Sequence, residues 1–272
     1  MTAYTAIFES FPRWGLMWAL AGAVFLVGKA AMRSRVTLRQ PVPAIHELAW
    51  LGLWPGMDAE AFFSRRRRDL KVPRGVILGG VGNAVLGTIL LWGVARWMPQ
   101  PLAAGWVGMT GLVLVLHFGA FRMLASLWQY HGVPVRPIME FPAAATSLSE
   151  FWGRRWNRAF RDLAHAFVYL PVLRHGHARL ALGATFLVSG LVHELVITVP
   201  AGAGYGLPMV YFGLQALGIT LERRLFRRRQ VPATLRWAFT HLFTVGPAFI
   251  LFPPPFVERV MIPFFQFIHA LP

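Results

Sequence analysis

The run LVSGLVHELVITV, Leu187 to Val199, has the composition of the inside of a membrane helix, yet it sets His193 and Glu194 side by side in its middle. Ionisable side chains at that depth are costly, and they face a bundle interior or a water-filled cavity. His193 lies fourteen residues beyond Arg179, about 21 Å along a helix and at or past the bilayer midplane. The bland reading is a histidine satisfied by a neighbouring helix, a reading that fits His117 better because no companion motif surrounds it. A zinc-protease helix is excluded, since the position four after His193 is Ile197 and the second ligand is missing. Ser189, four residues earlier on the same face, permits a Ser–His pair. Against it, a helical serine commonly bonds the carbonyl four residues back, and no nucleophile elbow is present. The remaining chemistry is general-base catalysis by a neutral His193 in a dry cavity. Glu194 points about 100° away and is expected to partner another helix.

A second constellation is SLSEFWGRRWNRAFRDLAHAFVYLPVL, Ser147 to Leu173. At 100° per residue, Trp152, Trp156, Ala159, Phe160, Leu163, Phe167 and Leu170 share one arc, opposite Arg154, Arg158, Arg161, Asp162 and His165. That pattern predicts one amphipathic helix lying in the membrane surface, capped at its start by Ser147 or Ser149. Asn157 falls at the edge of the apolar arc, where it can line the mouth of a cavity. One reading is a surface anchor whose arginines meet anionic lipid. The other starts from Gly153 among bulky rings and from Arg154 and Arg155 between Trp152 and Trp156. Such an arrangement suits a ligand carrying phosphates, for example coenzyme A.

The elements that must position these residues are apolar. Of 272 residues, 56% are hydrophobic and 14% charged, and the mean hydropathy is +0.51, outside what a soluble domain carries. The expected fold class is all-α: a polytopic transmembrane bundle of about 6–8 membrane helices plus the amphipathic interfacial helix. Six segments are long enough or nearly so, at 14–31, 75–95, 102–121, 180–200, 206–221 and 236–252, with a shorter seventh at 256–271. The first has its basic cluster (Lys29, Arg33, Arg35) after the apolar run, and it reads as an anchor with the N-terminus outside, not as a cleaved signal. The net charge of +16 sits in alternate loops, including Arg65–Arg68 and Glu222–Arg229, as the positive-inside bias requires, so nucleic acid is not an expected partner. Ala44–Asp58 is too short to cross and reads as interfacial or re-entrant. The chain is treated as a single membrane-embedded domain, 1–272. With no cysteine there is no thiolate metal site or Cys nucleophile, and no metal or cofactor is expected. The compact, Arg-rich chain points toward a bacterial inner membrane; the endoplasmic reticulum is the eukaryotic counterpart.

The pair SLSEFWGRRWN and ATFLVSGLVHEL, within a core of about 141–199, resembles the wax synthase branch of the membrane-bound O-acyltransferase superfamily. The acidic residue before FWG is Glu150, where plant members tend to have Asp. The resemblance implies that Asn157 and His193 are the active-site residues and that an acyl group passes from acyl-CoA, as co-substrate, to the hydroxyl of a lipophilic alcohol. Trp152, Arg154, Arg155, Trp156, Ser189 and Glu194 then lie where substrate is bound. Related branches transfer acetyl groups or use sterol or terpenoid acceptors. From another class, a membrane lipid carrier would use His193 and Glu194 to bind or relay protons.

Overall fold

The computed structural model describes residues 11–37, 42–64, 70, 72–226 and 230–272. The arginine runs Arg65–Arg68 and Arg227–Arg229 lie outside the described residues. Among those described the regular structure is helical, without strands.

Among the described residues, four helices are long and apolar enough to cross a membrane: α1 (Arg13–Ser34), α4 (Arg74–Trp97), α5 (Pro101–Tyr130) and α7 (Ala178–Ala201). Between the first two lie the short helices α2 (Ala44–Gly52) and α3 (Ala59–Phe62), and α6 (Arg158–Ala164) precedes α7. Helix α8 (Leu207–Phe226) has the length of a span, but Gln215, Glu222, Arg223 and Arg224 lower its hydropathy. The sixth and seventh predicted segments are two arms of one unit, α9 (Ala233–Leu251) and α10 (Pro254–Phe267), bent by 60°. The bend falls at Phe252–Pro253, where three successive prolines, Pro253 to Pro255, cannot continue the preceding helix. Among the described residues, four helices, or five if the bent pair is one span, are thus long and apolar enough to cross, where the sequence leads to an expectation of about 6–8; the all-α membrane bundle is borne out.

Small residues bring the spans together, as expected where lipid gives no hydrophobic drive to association. On α4 and α5, a Cβ at Gly87 would lie 2.6 Å from the Gly111 carbonyl, and one at Gly111 would lie 2.7 Å from that of Gly87. The far end of α7 is tied down by charge. Arg13 and Arg259 both donate to the Ala201 carbonyl, satisfying an acceptor that the helix leaves open.

Lys29 is not part of an interfacial basic cluster. It is fully buried, with Nζ donating to the Gly56 carbonyl at 2.7 Å and standing 3.2 Å from the centroid of Trp50. A buried amine needs partners of that kind. The bond explains WPGMD (Trp54–Asp58): it pins this loop against α1 and seats Met57 beside Leu163, at a point where Gly28 keeps the approach open. Asp58 then caps α3 by accepting from Ala61 N at 2.9 Å.

The close seam between α4 and α5 gives a direct test. Gly111→Leu should lower the melting temperature of the detergent-solubilised protein, since overpacking of this kind costs about 1–3 kcal/mol or more. Gly79→Leu, at a glycine with open space beside it, should leave melting unchanged. Equal melting of the two variants would contradict the packing described.

Candidate active site

The amphipathic pattern predicts one helix from Ser147 to Leu173; the structure breaks it at Asn157. Ser147 caps a first turn, Leu148–Glu150, its hydroxyl accepting from Glu150 N at 3.0 Å. A wide π turn, Phe151–Arg155, follows. Trp156 is extended, and Asn157 is left-handed with φ 40°, a conformation asparagine tolerates better than most residues. Its Oδ1 then caps α6 by accepting from Phe160 N at 3.2 Å. Helix periodicity carries no mark of such an elbow; the signal was the asparagine itself.

The two halves run as a hairpin along the bundle. On the way in, Glu222 near the end of α8 accepts from Leu148 N at 3.1 Å, and Gln215, two turns earlier in α8, accepts from Trp152 Nε1 at 3.2 Å. On the way out, Phe160 packs edge-on against His193 with ring centroids 6.2 Å apart, while Leu173 is joined to the start of α7 by a short turn. Thirteen residues from Phe160 to Leu173 and fifteen from Ala178 to His193 are about 20 and 22 Å of helix, so the outward arm lies antiparallel beside α7. This corrects the expectation of a helix lying in the membrane surface. Of the apolar arc, Trp152 and Phe160 pack against α7 and α8 and Leu163 lies beside Met57 of the WPGMD loop, while Phe167 stays exposed. Asn157 is thereby carried to the level of His193.

The residues of the second motif each have a definite geometric part. The Ser189 hydroxyl bonds the Thr185 carbonyl at 2.8 Å, which ties up the nucleophile of a Ser–His pair. The Ser189 carbonyl in turn meets His193 Nδ1 at 2.7 Å. A carbonyl only accepts, so Nδ1 carries the proton and the lone pair is on Nε2. Gly190 admits α8, since a Cβ there would lie 2.5 Å from Met209 Sδ. Three residues after each, Phe212 lies against His193 with centroids 4.6 Å apart. Phe212 also touches Trp152 and Phe186, so one ring joins both motifs. Immediately after His193 the helix widens into a π turn, Glu194–Thr198, a feature frequent at functional sites. Glu194 accepts from Thr198 Oγ1 and from Gly206 N, the latter at 2.8 Å, fixing the start of α8.

The two arginines between the tryptophans differ. Arg155 pairs with Glu150 at 2.7 Å and donates to the carbonyls of Glu140 and Phe141, so it holds the hairpin closed. Arg154 reaches Glu150 only at 3.5 Å and its side chain is 74% exposed. Trp152 is committed to Gln215, and Trp156 stacks on Phe151 at 5.6 Å. Beside Gly153 a Cβ would meet nothing within 4 Å. Among the described residues, neither Asn157 Nδ2 nor His193 Nε2 has a hydrogen-bond partner. A donor and a base are thus left uncommitted on neighbouring elements.

Comparison with known proteins finds similarity in the stretch that holds this constellation. Residues 135–214 match the membrane bound O-acyl transferase family. That stretch holds both motifs, and the resemblance drawn from them is borne out there, in an integral membrane protein. Among similar proteins of Arabidopsis thaliana, probable long-chain-alcohol O-fatty-acyltransferase 7 is 32% identical over 142 residues, 47% of this chain and 42% of that one. Acyl-CoA–sterol O-acyltransferase 1 is 31% identical over 157 residues, covering 53% of this chain and 44% of the relative. Probable long-chain-alcohol O-fatty-acyltransferase 2 reaches 41% over 73 residues, 24% of this chain and 21% of the relative. The chain spans less than half the length of these relatives. Sequence reasoning placed Phe160 only on an apolar arc and did not single out Phe212 or Gln215, which join the motifs, because residues without titratable or nucleophilic groups carry no local signal.

The Glu150–Arg155 clasp makes the hairpin sensitive to acid. Burial alone would raise the Glu150 carboxyl. The Thr146 amide, the Arg155 guanidinium and the charge of Arg154 outweigh it and hold the group below its ordinary value. A carboxyl depressed on folding adds stability that is complete above its unfolded pKa and lost as pH falls through the folded one. Wild-type melting in detergent should therefore drop below about pH 4. Glu150→Gln should melt lower than wild type at neutral pH and lose less on acidification; identical acid profiles would contradict the clasp.

Proposed function

We propose that this protein transfers an acyl group from acyl-CoA to the hydroxyl of a lipophilic alcohol. The observation that carries the reading is the meeting of the two family motifs: Asn157 and His193 flank Phe160, each with one uncommitted polar nitrogen. In the reaction, His193 Nε2 takes the hydroxyl proton as the alcohol oxygen attacks the thioester carbonyl. Negative charge gathers on that carbonyl oxygen, where Asn157 Nδ2 donates. As the tetrahedral adduct collapses, the carbon–sulfur bond breaks, the imidazolium returns its proton to the departing thiolate, and an ester and free coenzyme A leave. No acyl-enzyme is needed, consistent with Ser189 being tied to Thr185.

The hairpin carries Arg154, Arg155 and Arg158 beside membrane helices, and charged non-spanning chain at that depth belongs against a water-filled recess. With the basic loops placed on the cytoplasmic side, that recess opens to the cytoplasm and the start of α1 lies outside. Coenzyme A enters there, its phosphates near the exposed Arg154, while the acceptor arrives from lipid. Exclusion of bulk water at His193 protects the thioester from hydrolysis. The names of the relatives favour a long-chain alcohol, with a sterol as the second acceptor class. Those relatives are plant proteins and lend nothing to a bacterial membrane.

The test is acyl transfer by purified protein in liposomes, with radiolabelled palmitoyl-CoA or acetyl-CoA against fatty alcohols, sterols and terpenols. Ester should form with wild type and vanish with His193→Ala. Asn157→Gly keeps the left-handed backbone available and removes only the amide; it should cost about 100-fold to 1000-fold in turnover, the usual loss for one oxyanion donor. Arg154→Ala should raise KM for acyl-CoA without lowering the melting temperature, whereas Arg155→Ala should lower the melting temperature. Absence of ester with every pair from well-folded wild type would contradict the proposal and favour a lipid carrier.

A further inference from the structure

His117 is the second histidine inside a membrane helix, and nothing above uses it. It stands in α5 within a π turn, Leu114–Ala120. Its Nδ1 is buried and has no hydrogen-bond partner, and among the described residues neither does Nε2. A polar ring left unpaired inside a bundle carries a desolvation penalty unless something else occupies it. The residue keeps part of its surface accessible, as His193 does.

Packing fixes the direction in which the ring faces. Gly119 holds the seam with α4, where a Cβ would lie 2.9 Å from Ala84 Cβ. His117, two residues earlier, is roughly on the opposite side of the helix and faces away from that seam. Its ring meets Phe121 edge-on, with centroids 5.4 Å apart. Phe121 and Phe118 pack on the cluster of Met57, Ile138, Met139 and Ala159, to which Trp156 also belongs. That cluster surrounds the elbow: Trp156 precedes Asn157, and Met139 Sδ accepts from Asn157 N at 3.2 Å. His193 is joined to the same elbow through Phe160. Packing thus links both histidines to the Asn157 elbow, His117 on α5 through Phe121 and its cluster, His193 on α7 through Phe160.

We propose that His117 binds the hydroxyl of the acceptor alcohol. Resting on the acyl-transfer reading, this assigns the α5 wall to the acceptor and the Arg154 side to the acyl donor. An alcohol oxygen has one proton and two lone pairs. One lone pair accepts an N–H from His117, the proton is directed to His193 Nε2, and the second lone pair is free to attack. An unpaired imidazole also selects: a site built to bond a hydroxyl rejects a chain that lacks one, because its own polar atom is then left unsatisfied. His117 is in this sense a positioning and specificity residue.

The experiment separates binding from turnover. Equilibrium binding of a tritiated long-chain alcohol, the matching alkane, and a non-hydrolysable palmitoyl-CoA ether is measured on wild type, His117→Phe and His117→Asn in detergent. Ester synthesis is then followed with the same variants. His117→Phe keeps a ring against Phe121 and removes both nitrogens. It should weaken alcohol binding roughly three- to tenfold, the value of one hydrogen bond, and raise KM for alcohol correspondingly. Binding of the palmitoyl-CoA analogue should not change, and His117→Asn should recover part of the loss. Equal alcohol affinity in wild type and His117→Phe, both folded, would overturn the assignment, as would parallel loss of acyl-CoA and alcohol binding. Alcohol binding that depends on His117 without ester formation by wild type would sink the transferase reading and leave the site standing.

Discussion

The bond from His193 Nδ1 to the Ser189 carbonyl is the constraint on which the rest of the site depends. An imidazole inside a membrane must account for two nitrogens, and this bond accounts for one by using an acceptor of its own helix. The tautomer is fixed and the lone pair goes to Nε2. The Ser189 hydroxyl, bonded to Thr185, removes a competitor from the same surface. Gly190 draws in α8 and brings Phe212 onto the ring face, while Phe160 covers an edge. Orientation of the base is thus a property of one helical turn, and its enclosure a property of two neighbouring elements.

The second constraint is how an asparagine at the end of a charged motif comes to stand near that base. A chain cannot leave an open elbow in lipid, and the hairpin succeeds because its backbone groups find partners. Glu222 takes Leu148 N, the Glu140 amide bonds the Arg155 carbonyl, Arg158 N bonds the Ile138 carbonyl, and Asn157 caps α6. The charges are satisfied among themselves, with Arg155 on Glu150 and Arg158 on Glu140 at 2.9 Å. Lys29 plays a similar part behind the arm, clamping Gly56 so that Met57 backs Leu163. Among the described residues around the site, Asn157 Nδ2, His193 Nε2 and the His117 ring have no hydrogen-bond partner, and Arg154 is held only by its 3.5 Å contact with Glu150. The functional proposals use these groups and no others.

Much of this was legible beforehand. The helical membrane class and the bond from Ser189 back along its own helix follow from hydropathy and helical geometry. Glu194 was expected to serve another element, and it fixes the start of α8. Three features were not legible. The apolar arc of Ser147–Leu173 records only that one side is buried; against lipid or protein it looks the same, so the hairpin was taken for a surface helix. The separate duties of Arg154 and Arg155 depend on where Glu150 and the Glu140–Phe141 carbonyls lie in space. The union of 236–252 with 256–271 into one bent pair depends on packing around Pro253 and Pro254, which sequence reads only as a break.

The most direct test of the central claim is the tautomer of His193. Nitrogen-15 spectra of histidine-labelled protein in lipid nanodiscs, with His193→Ala used to assign the signal by difference, report which ring nitrogen bears the proton. The account predicts a neutral ring protonated at Nδ1, with an unprotonated Nε2 whose resonance moves when a long-chain alcohol is added. A ring protonated at Nε2, or at both nitrogens near neutral pH, would contradict it, because His193 would then have no lone pair at the position where the alcohol must arrive.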